Sequence, residues 1–343
     1  MFLIKAPKYG LFVLLLVIFL IAAIAFPYHS AQEISIATDA HTDRDIQSRN
    51  KKVVFTDDQT GYVFYTDDQS DLAYKKTTDG GETWPTKVLL DSTPNHIRRT
   101  MGAMIWYDRW TPGDKSGTIV HIAYGDDHTN RMFYIAFDTS NDTFSNPVEV
   151  DTTQEYIHHI ESRNRYYISK STNDTIYIGL MNDGTYKSDG SYVKKCSNNC
   201  TAALNWTSAG DLPFRNGIYS DIILMPVVDE TNDMLAFDLD YIDDDIYYSI
   251  YDADTDTWSP KTHLAYARDH VSYKSSWGAT INPKNGKIFL VFNPKPSDGD
   301  GSINHTSFDP NTRTFSPVIN GYNNDFSYQV DVVYDTDNDQ VYV

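Results

Sequence analysis

Thr77-Thr78-Asp79-Gly80-Gly81-Glu82-Thr83-Trp84 is the stretch against which the rest of the chain can be aligned. It reads as a turn: the Asp side chain accepts backbone amides across the bend, the paired glycines supply positive φ, and the Trp closes the gap beneath. Weaker copies follow at Phe137-Asp138-Thr139-Ser140-Asn141-Asp142-Thr143-Phe144, Tyr251-Asp252-Ala253-Asp254-Thr255-Asp256-Thr257-Trp258 and Phe308-Asp309-Pro310-Asn311-Thr312-Arg313-Thr314-Phe315. A degraded copy ends in Asn205-Trp206-Thr207. The closing aromatics stand at 84, 144, 206, 258 and 315, a spacing of 52 to 62 residues. A repeat of that length, running over most of 343 residues, argues for one closed array rather than two separate domains.

Between the turns lie short runs rich in Tyr, Phe, Val and Ile, and no long amphipathic helical pattern. Each repeat divides into four strands, A to D. In the first these are 52–56, 61–66, 72–76 and 85–90; in the second, 102–107, 118–124, 132–137 and 147–150. The third spans 165–212 with a long insertion, the fourth 221–264 and the fifth 277–319. A sixth repeat starts at 328–334 and stops after 340–343, so the last blade is incomplete. Residues 33–38, Glu-Ile-Ser-Ile-Ala-Thr, offer one strand toward it.

The first octet resembles the Asp box, S/T-x-D-x-G-x-T-W, of the sialidase (neuraminidase) superfamily. The resemblance implies an all-β fold, a six-bladed β-propeller of four-stranded antiparallel blades. Asp79, Asp138, Asp252 and Asp309 are then structural, on the face opposite the loops that carry each D strand to the next A strand. Those crossover loops, with the lead-in before the first blade, hold Arg49, Arg99 and Arg163, and also His96, His159 and His270. Guanidinium groups bind carboxylates bidentately, so three arginines meeting at the axis suit one anionic ligand. Carried over by position, the resemblance implies Arg49, Arg99 and Arg163 as a carboxylate clamp with His159 and His270 nearby. It further implies Asp68 as acid/base, Glu161 as the activating carboxylate, and Tyr273 or Tyr328 as the nucleophile. Arg49 is followed by Asn50-Lys51 rather than the family's usual Ile-Pro, and Arg99 and Arg163 stand earlier in the chain than the family's arginines. The rival reading is a non-catalytic recognition or adhesion propeller with a protein or cell-surface partner.

Charge and termini narrow the setting. The net charge is −19, with Lys5 and Lys8 the only charges before Glu33. So acidic a body repels nucleic acid. Leu11 to Phe26 is a run of sixteen apolar residues, slightly short for a full bilayer crossing, and signal peptide and signal anchor both fit. His29 would occupy the −3 position of a cut after Ala31, which favours an uncleaved anchor with the propeller outside. The expected division is therefore 1–31 anchor, 32–50 lead-in and 51–343 propeller. Five N-x-Ser/Thr sequons, at Asn141, Asn173, Asn199, Asn205 and Asn304, agree with export. Cys196 and Cys200, the only cysteines, would close a small disulfide loop in an oxidising compartment, with free thiols the alternative.

No cofactor is expected. Loop histidines more often hydrogen-bond than bind zinc, and no metal is assigned to them. Asp252-x-Asp254-x-Asp256 and Asp298-Gly299-Asp300-Gly301 are the places where calcium would bind, although the glycine and distal Glu of a calcium loop are missing after the first. The clamp reading predicts that the wild-type chain releases fluorophore from a fluorogenic sialoside and that Arg99→Ala does not; equal background release from both would end it.

Overall fold

The structure is a computed structural model that describes residues 34–40, 51–92, 103–126, 131–150, 166–180, 191–214, 220–240, 245–267, 277–293, 302–323, 330, 332–335 and 338–343. The chain divides into two compact units, 1–36 and 37–343, and the described sheets lie in the second. Among the described residues no helix is long and apolar enough to cross a membrane, and the run 11–26 lies outside them.

Five antiparallel sheets follow one another, each built from consecutive strands. Sheet 1 is β1 (Val53–Phe55), β2 (Gly61–Thr66), β3 (Leu72–Thr77) and β4 (Lys87–Asp91). Sheet 2 holds β5 (Met104–Tyr107), β6 (Ile119–Asp126), β7 (Arg131–Asp138), β8 (Thr143–Phe144) and β9 (Val148–Glu149). Sheet 3 is β10 (Tyr166–Lys170), β11 (Ile176–Leu180), β12 (Tyr192–Cys196) and β13 (Thr207–Asp211). Sheet 4 comprises β14 (Ser220–Pro226), β15 (Met234–Asp240), β16 (Asp245–Asp252), β17 (Thr257–Trp258) and β18 (Thr262–Tyr266). Sheet 5 has β19 (Trp277–Ile281), β20 (Ile288–Phe292), β21 (Ser302–Asp309), β22 (Thr314–Phe315) and β23 (Ile319–Asn323). A hairpin of β24 (Val333–Asp335) and β25 (Gln340–Tyr342) packs beside sheet 5, with Phe289 stacked on Tyr334. The first strand of each sheet lies against the first strand of the next from β5 through β24, which is a propeller-like arrangement.

Strands β2, β10, β11, β15 and β19 are buried at every position, because both faces of each sheet are covered by neighbours. One continuous core runs through sheets 2 to 5 and a second joins sheets 1 and 2.

In sheets 2, 4 and 5 the fourth strand is broken at the same place. Phe144, Trp258 and Phe315 pair with Phe137, Tyr251 and Phe308 in one register, and a serine follows each. Ser145, Ser259 and Ser316 donate their amides to Ala136, Ile250 and Ser307 at 2.9, 2.8 and 2.8 Å. Their hydroxyls accept the amides of the same three residues at 3.1, 2.9 and 3.0 Å. The side chain thus replaces a ladder carbonyl, and Pro147, Pro260 and Pro317, which have no N–H to offer, follow at the break. Trp84 departs from this pattern: it sits in no ladder and packs edge-on to Phe55 at 6.2 Å.

The turn before each closing aromatic ties its sheet to the preceding one. Asp142, Asp256 and Arg313 share one turn position and one left-handed backbone, with φ of 58, 57 and 55°. Asp142 accepts Tyr62 Oη at 2.6 Å and Lys76 Nζ at 2.7 Å from sheet 1. Asp256 accepts Lys195 Nζ at 2.9 Å from sheet 3 and the hydroxyl of Tyr251 in its own sheet. Lys76 and Lys195 occupy equivalent places; sheet 4 has Ile250 there, and the polarity reverses, with Arg313 donating to Asp233 at 2.5 Å.

The first octet folds as its residues dictate. Asp79 accepts the amide of Thr83 at 3.0 Å and the hydroxyls of Thr77 and Thr83 at 2.6 and 2.5 Å, which hold its carboxyl down to about 2. Gly80 and Gly81 take φ of 72 and 96°. Asp138, Asp252 and Asp309 likewise accept turn amides. Residues 34–38 carry no strand assignment, and within the second unit Ala40 bridges Asp67 at the end of β2. The Cys196–Cys200 disulfide is formed.

Asp233 is buried, so Arg313→Ala strands a carboxylate and should lower the urea unfolding free energy by about 2 kcal/mol; that is below the cost of breaking a fully buried pair because Arg313 is partly exposed. Asp142→Ala, at a half-exposed pair, should cost under about 1 kcal/mol. Equal costs would remove the distinction.

Candidate functional site

A cavity of about 600 Å³ opens where β1, β24 and the ends of β5 and β19 converge. Its described lining includes Lys51, Lys52, Phe55, Tyr107, Arg109, Trp110, Ile281, Pro283 and Tyr334. Three of these are cations, and none is a carboxylate. In a chain of net charge −19 the described wall of this hollow is thus basic and aromatic.

The wall is positioned by a buried ionic cluster. After β5 the chain makes one 3-10 turn, Asp108–Trp110, whose first residue points inward and whose next two face the cavity. Asp108 Oδ1 accepts Lys170 Nζ at 2.6 Å and lies 3.0 Å from His121 Nε2, while Oδ2 accepts the Ile119 amide at 2.8 Å. His121 Nδ1 is 2.7 Å from the Tyr134 hydroxyl. Lys170 comes from the end of β10 and also reaches Asp114 at 2.7 Å and Asp174 at 3.0 Å, so the cluster locks sheets 2 and 3 together. Trp106 donates its indole N–H to Thr111 Oγ1 at 2.9 Å.

Burial opposes the charge on Asp108, but the hydrogen bonds from His121, Lys170 and Ile119 outweigh it and hold the carboxyl far below the usual range. Burial also works against the Lys170 ammonium, and its three aspartates overcome it, holding the group above the ordinary lysine range. With Lys170 supplying the cation, His121 serves as a neutral link. Burial pushes its pKa down; its Nε2–H donates to Asp108 and its Nδ1 accepts from Tyr134.

Arg109 is the group presented to the cavity. Its Nε donates to Gly117 O at 3.0 Å, its Nη1 to Thr56 O at 3.1 Å, and the guanidinium lies 5.5 Å from the Tyr107 ring. No carboxylate pairs with it among the described residues. Trp110 stands edge-on to Trp106 and Tyr107 at 6.1 and 6.3 Å, with Lys51 Nζ 4.8 Å from its ring. Two backbone carbonyls thus fix the guanidinium, and no carboxylate among the described residues withholds its remaining N–H groups from an anion.

Of the residues assigned to the site from sequence, Arg49, Arg99, Glu161, Arg163, His159, His270 and Tyr273 lie outside the described residues, as do His96, Tyr328 and 298–301. Asp68 is described: it is exposed on the β2–β3 turn and accepts Gln69 Nε2 at 3.3 Å. That turn is at the opposite end of β2 from the cavity. Its neighbour Asp67 is the buried carboxylate, accepting the amides of Gln69 and Asp71 and Lys87 Nζ. In the 252–256 loop, Asp252 accepts the amides of Asp254 and Thr255, and Asp256 pairs with Lys195 of sheet 3. The reading from sequence passed over Arg109. Its signal is Tyr107-Asp108-Arg109-Trp110 at the end of an A strand, a cation between two aromatics in a link longer than its counterparts.

No protein-family model matches the chain, and no curated protein sequence does. Among solved structures it is similar to a triple-arginine mutant of AofleA from Arthrobotrys oligospora, at 9% identity over 86% of this chain and 78% of that one, with a TM-score of 0.52. The NanB sialidase of Streptococcus pneumoniae gives 10% identity over 90% of this chain and 66% of that one, TM-score 0.48. Aleuria aurantia lectin, solved with Fucα1-6GlcNAc, gives 10% identity over 80% of each chain, TM-score 0.45. At these identities the likeness is one of fold.

The ionic cluster sets a pH profile. Asp108, whose carboxyl is depressed, contributes stability present above about pH 4 and lost as pH falls below it. His121 is a base depressed by burial, so the unfolded chain takes up its proton first and stability declines below about pH 6.5. Lys170, raised, keeps its contribution up to about pH 10.4 and loses it at higher pH. His121→Gln preserves a donor and an acceptor, and urea titrations should show the decline between about pH 5 and 6.5 flattened in that variant. An unchanged slope would place the titration elsewhere.

Proposed function

We propose that this chain is a glycan-recognition propeller that holds an acidic saccharide in the cavity beside Arg109. The observation that carries the reading is a guanidinium that has no carboxylate partner among the described residues, is fixed by two carbonyls and is flanked by Tyr107 and Trp110. A pyranose ring has C–H faces that pack on aromatic rings and hydroxyls at its edge, and a sugar carboxylate fits the fork of an arginine. Lys51 and Lys52 add positive potential, and the volume suits one or two sugar rings rather than a long chain.

In this reading the five sheets and the β24–β25 hairpin belong to a six-bladed, sialidase-like ring whose last blade is incomplete here. The propeller stands outside the cell, with 11–26 as signal anchor or signal peptide. The Cys196–Cys200 disulfide supports an oxidising compartment. The described lining offers cations and rings, which is the complement of a bound acid; binding, rather than cleavage of the glycosidic bond, is the role these groups support.

Calorimetry with sialic- or uronic-acid-terminated oligosaccharides tests it against the same sugars after reduction of the carboxyl to an alcohol. Arg109→Ala should weaken binding of the acids by at least about tenfold, or about 1.4 kcal/mol, and leave the reduced sugars unaffected. Trp110→Ala should weaken both. An Arg109→Ala protein with an unchanged urea midpoint and unchanged affinity for the acids would overturn the reading.

A further inference from the structure

The five sequons do not fall at random in the fold. Asn141 lies in the β7–β8 turn, Asn173 in the β10–β11 turn, and Asn199 and Asn205 in the β12–β13 link, and all four are exposed. These links emerge at the same end of sheets 2 and 3, which adjoin. Asn304 is the exception: it is 7% exposed within β21, paired in register with Phe292 and Asn320.

At the exposed sites the amide nitrogen makes only surface hydrogen bonds among the described residues: Asn141 Nδ2 donates to Asp138 Oδ2 at 3.3 Å, a bond that a substituted amide can keep through its remaining N–H. Thr143 Oγ1 donates to Asn141 Oδ1 at 2.5 Å and Thr201 Oγ1 to Asn199 Oδ1 at 2.9 Å, so the sequon hydroxyl engages the amide oxygen and not the nitrogen. Asn173 Oδ1 accepts the Thr175 amide at 3.3 Å. Asn205 Nδ2 donates to the carbonyls of Asn198 and Asn199 at 3.1 and 3.0 Å, and a substituted amide retains one N–H for one of them. The Cys196–Cys200 bridge lies in the same link as two of the four, which places sequons and an oxidised cystine on one surface.

We infer that Asn141, Asn173, Asn199 and Asn205 are N-glycosylation sites, giving one end of sheets 2 and 3 a carbohydrate cover, and that Asn304 is not. The inference rests on the proposed export of the chain. In the transfer, the asparagine Nδ2 bonds to the anomeric carbon of an oligosaccharide carried on a polyprenyl diphosphate. The bond from that carbon to the diphosphate oxygen breaks, the lipid diphosphate departs, and the amide gives up one proton, with no change of oxidation state. A glycan on Asn304 would have to leave through a packed sheet, so a folded molecule excludes it.

The test is expression of the full chain in a eukaryotic secretory host, followed by enzymatic deglycosylation in H₂¹⁸O and peptide mass spectrometry. The deglycosylation converts each glycosylated Asn to an ¹⁸O-marked Asp. The Cys196–Cys200 bridge, mapped in the same sample, reports passage through an oxidising compartment and so separates failure of this inference from failure of export. The expected result is the mark at Asn141, Asn173, Asn199 and Asn205 and none at Asn304. An intact bridge with no mark at any of the four, or a mark at Asn304 in folded protein, would overturn it.

Discussion

A sheet of four strands about five residues long has two apolar faces and cannot bury both by itself, so each sheet here is stable only while its neighbours cover it. The contacts that enforce this stand at the turns before the closing aromatics. A residue in left-handed backbone projects from each turn and engages the preceding sheet: Asp142 on Lys76 and Tyr62, Asp256 on Lys195, Arg313 on Asp233. Beneath them the rings meet edge to face, Tyr62 with Phe137 at 5.2 Å and Tyr177 with Tyr251 at 5.8 Å. The hydrophobic term supplies most of the energy, and the polar tie sets which rotation between sheets is allowed. Where sheet 4 lacks the lysine, the turn supplies the cation instead, so the geometry is kept while the charges exchange places.

The same logic extends to the cavity. Sheets 2 and 3 are joined by the Asp108–Lys170 pair, which is buried and therefore costs much to desolvate. The cost is offset because one carboxylate and one ammonium are saturated by His121, Ile119, Asp114 and Asp174. The result is a rigid 3-10 turn at the mouth of the array. Arg109 and Trp110 need no ligand to order them, which lowers the entropic cost of binding.

Much of the architecture was legible in residue order, because turn chemistry and apolar runs are local. Strand β2 falls at 61–66 as read, and the closing aromatics of three repeats share one register. Residues 34–38 alternate as a strand would at Ile34 and Ile36 but form no regular ladder; the chain meets sheet 1 two residues later, where Ala40 bridges Asp67. The cavity was not legible, since it depends on which links of distant repeats meet. Arg109 joins Thr56 across 53 positions, and Lys170 joins Asp108 across 62. The reading from sequence also weighted the opposite loops, where the arginines are more numerous, and those loops lie outside the described residues. Asp68, the described residue of that reading, is exposed on the β2–β3 turn; its carboxylate accepts Gln69 Nε2 and its amide donates to Asp39 O.

The broken outer strands of sheets 2, 4 and 5 have an effect beyond their own ladders. The outermost strand of each sheet displays its free edge to solvent, and an unbroken row of amides and carbonyls there would accept a strand from another molecule. At the break the serine hydroxyl has turned inward and the proline offers no donor, so a docking strand would meet a gap in the hydrogen-bond row. In strands this rich in Tyr, Phe and Val, two residues per sheet thus interrupt the hydrogen-bond row that edge-to-edge strand addition requires.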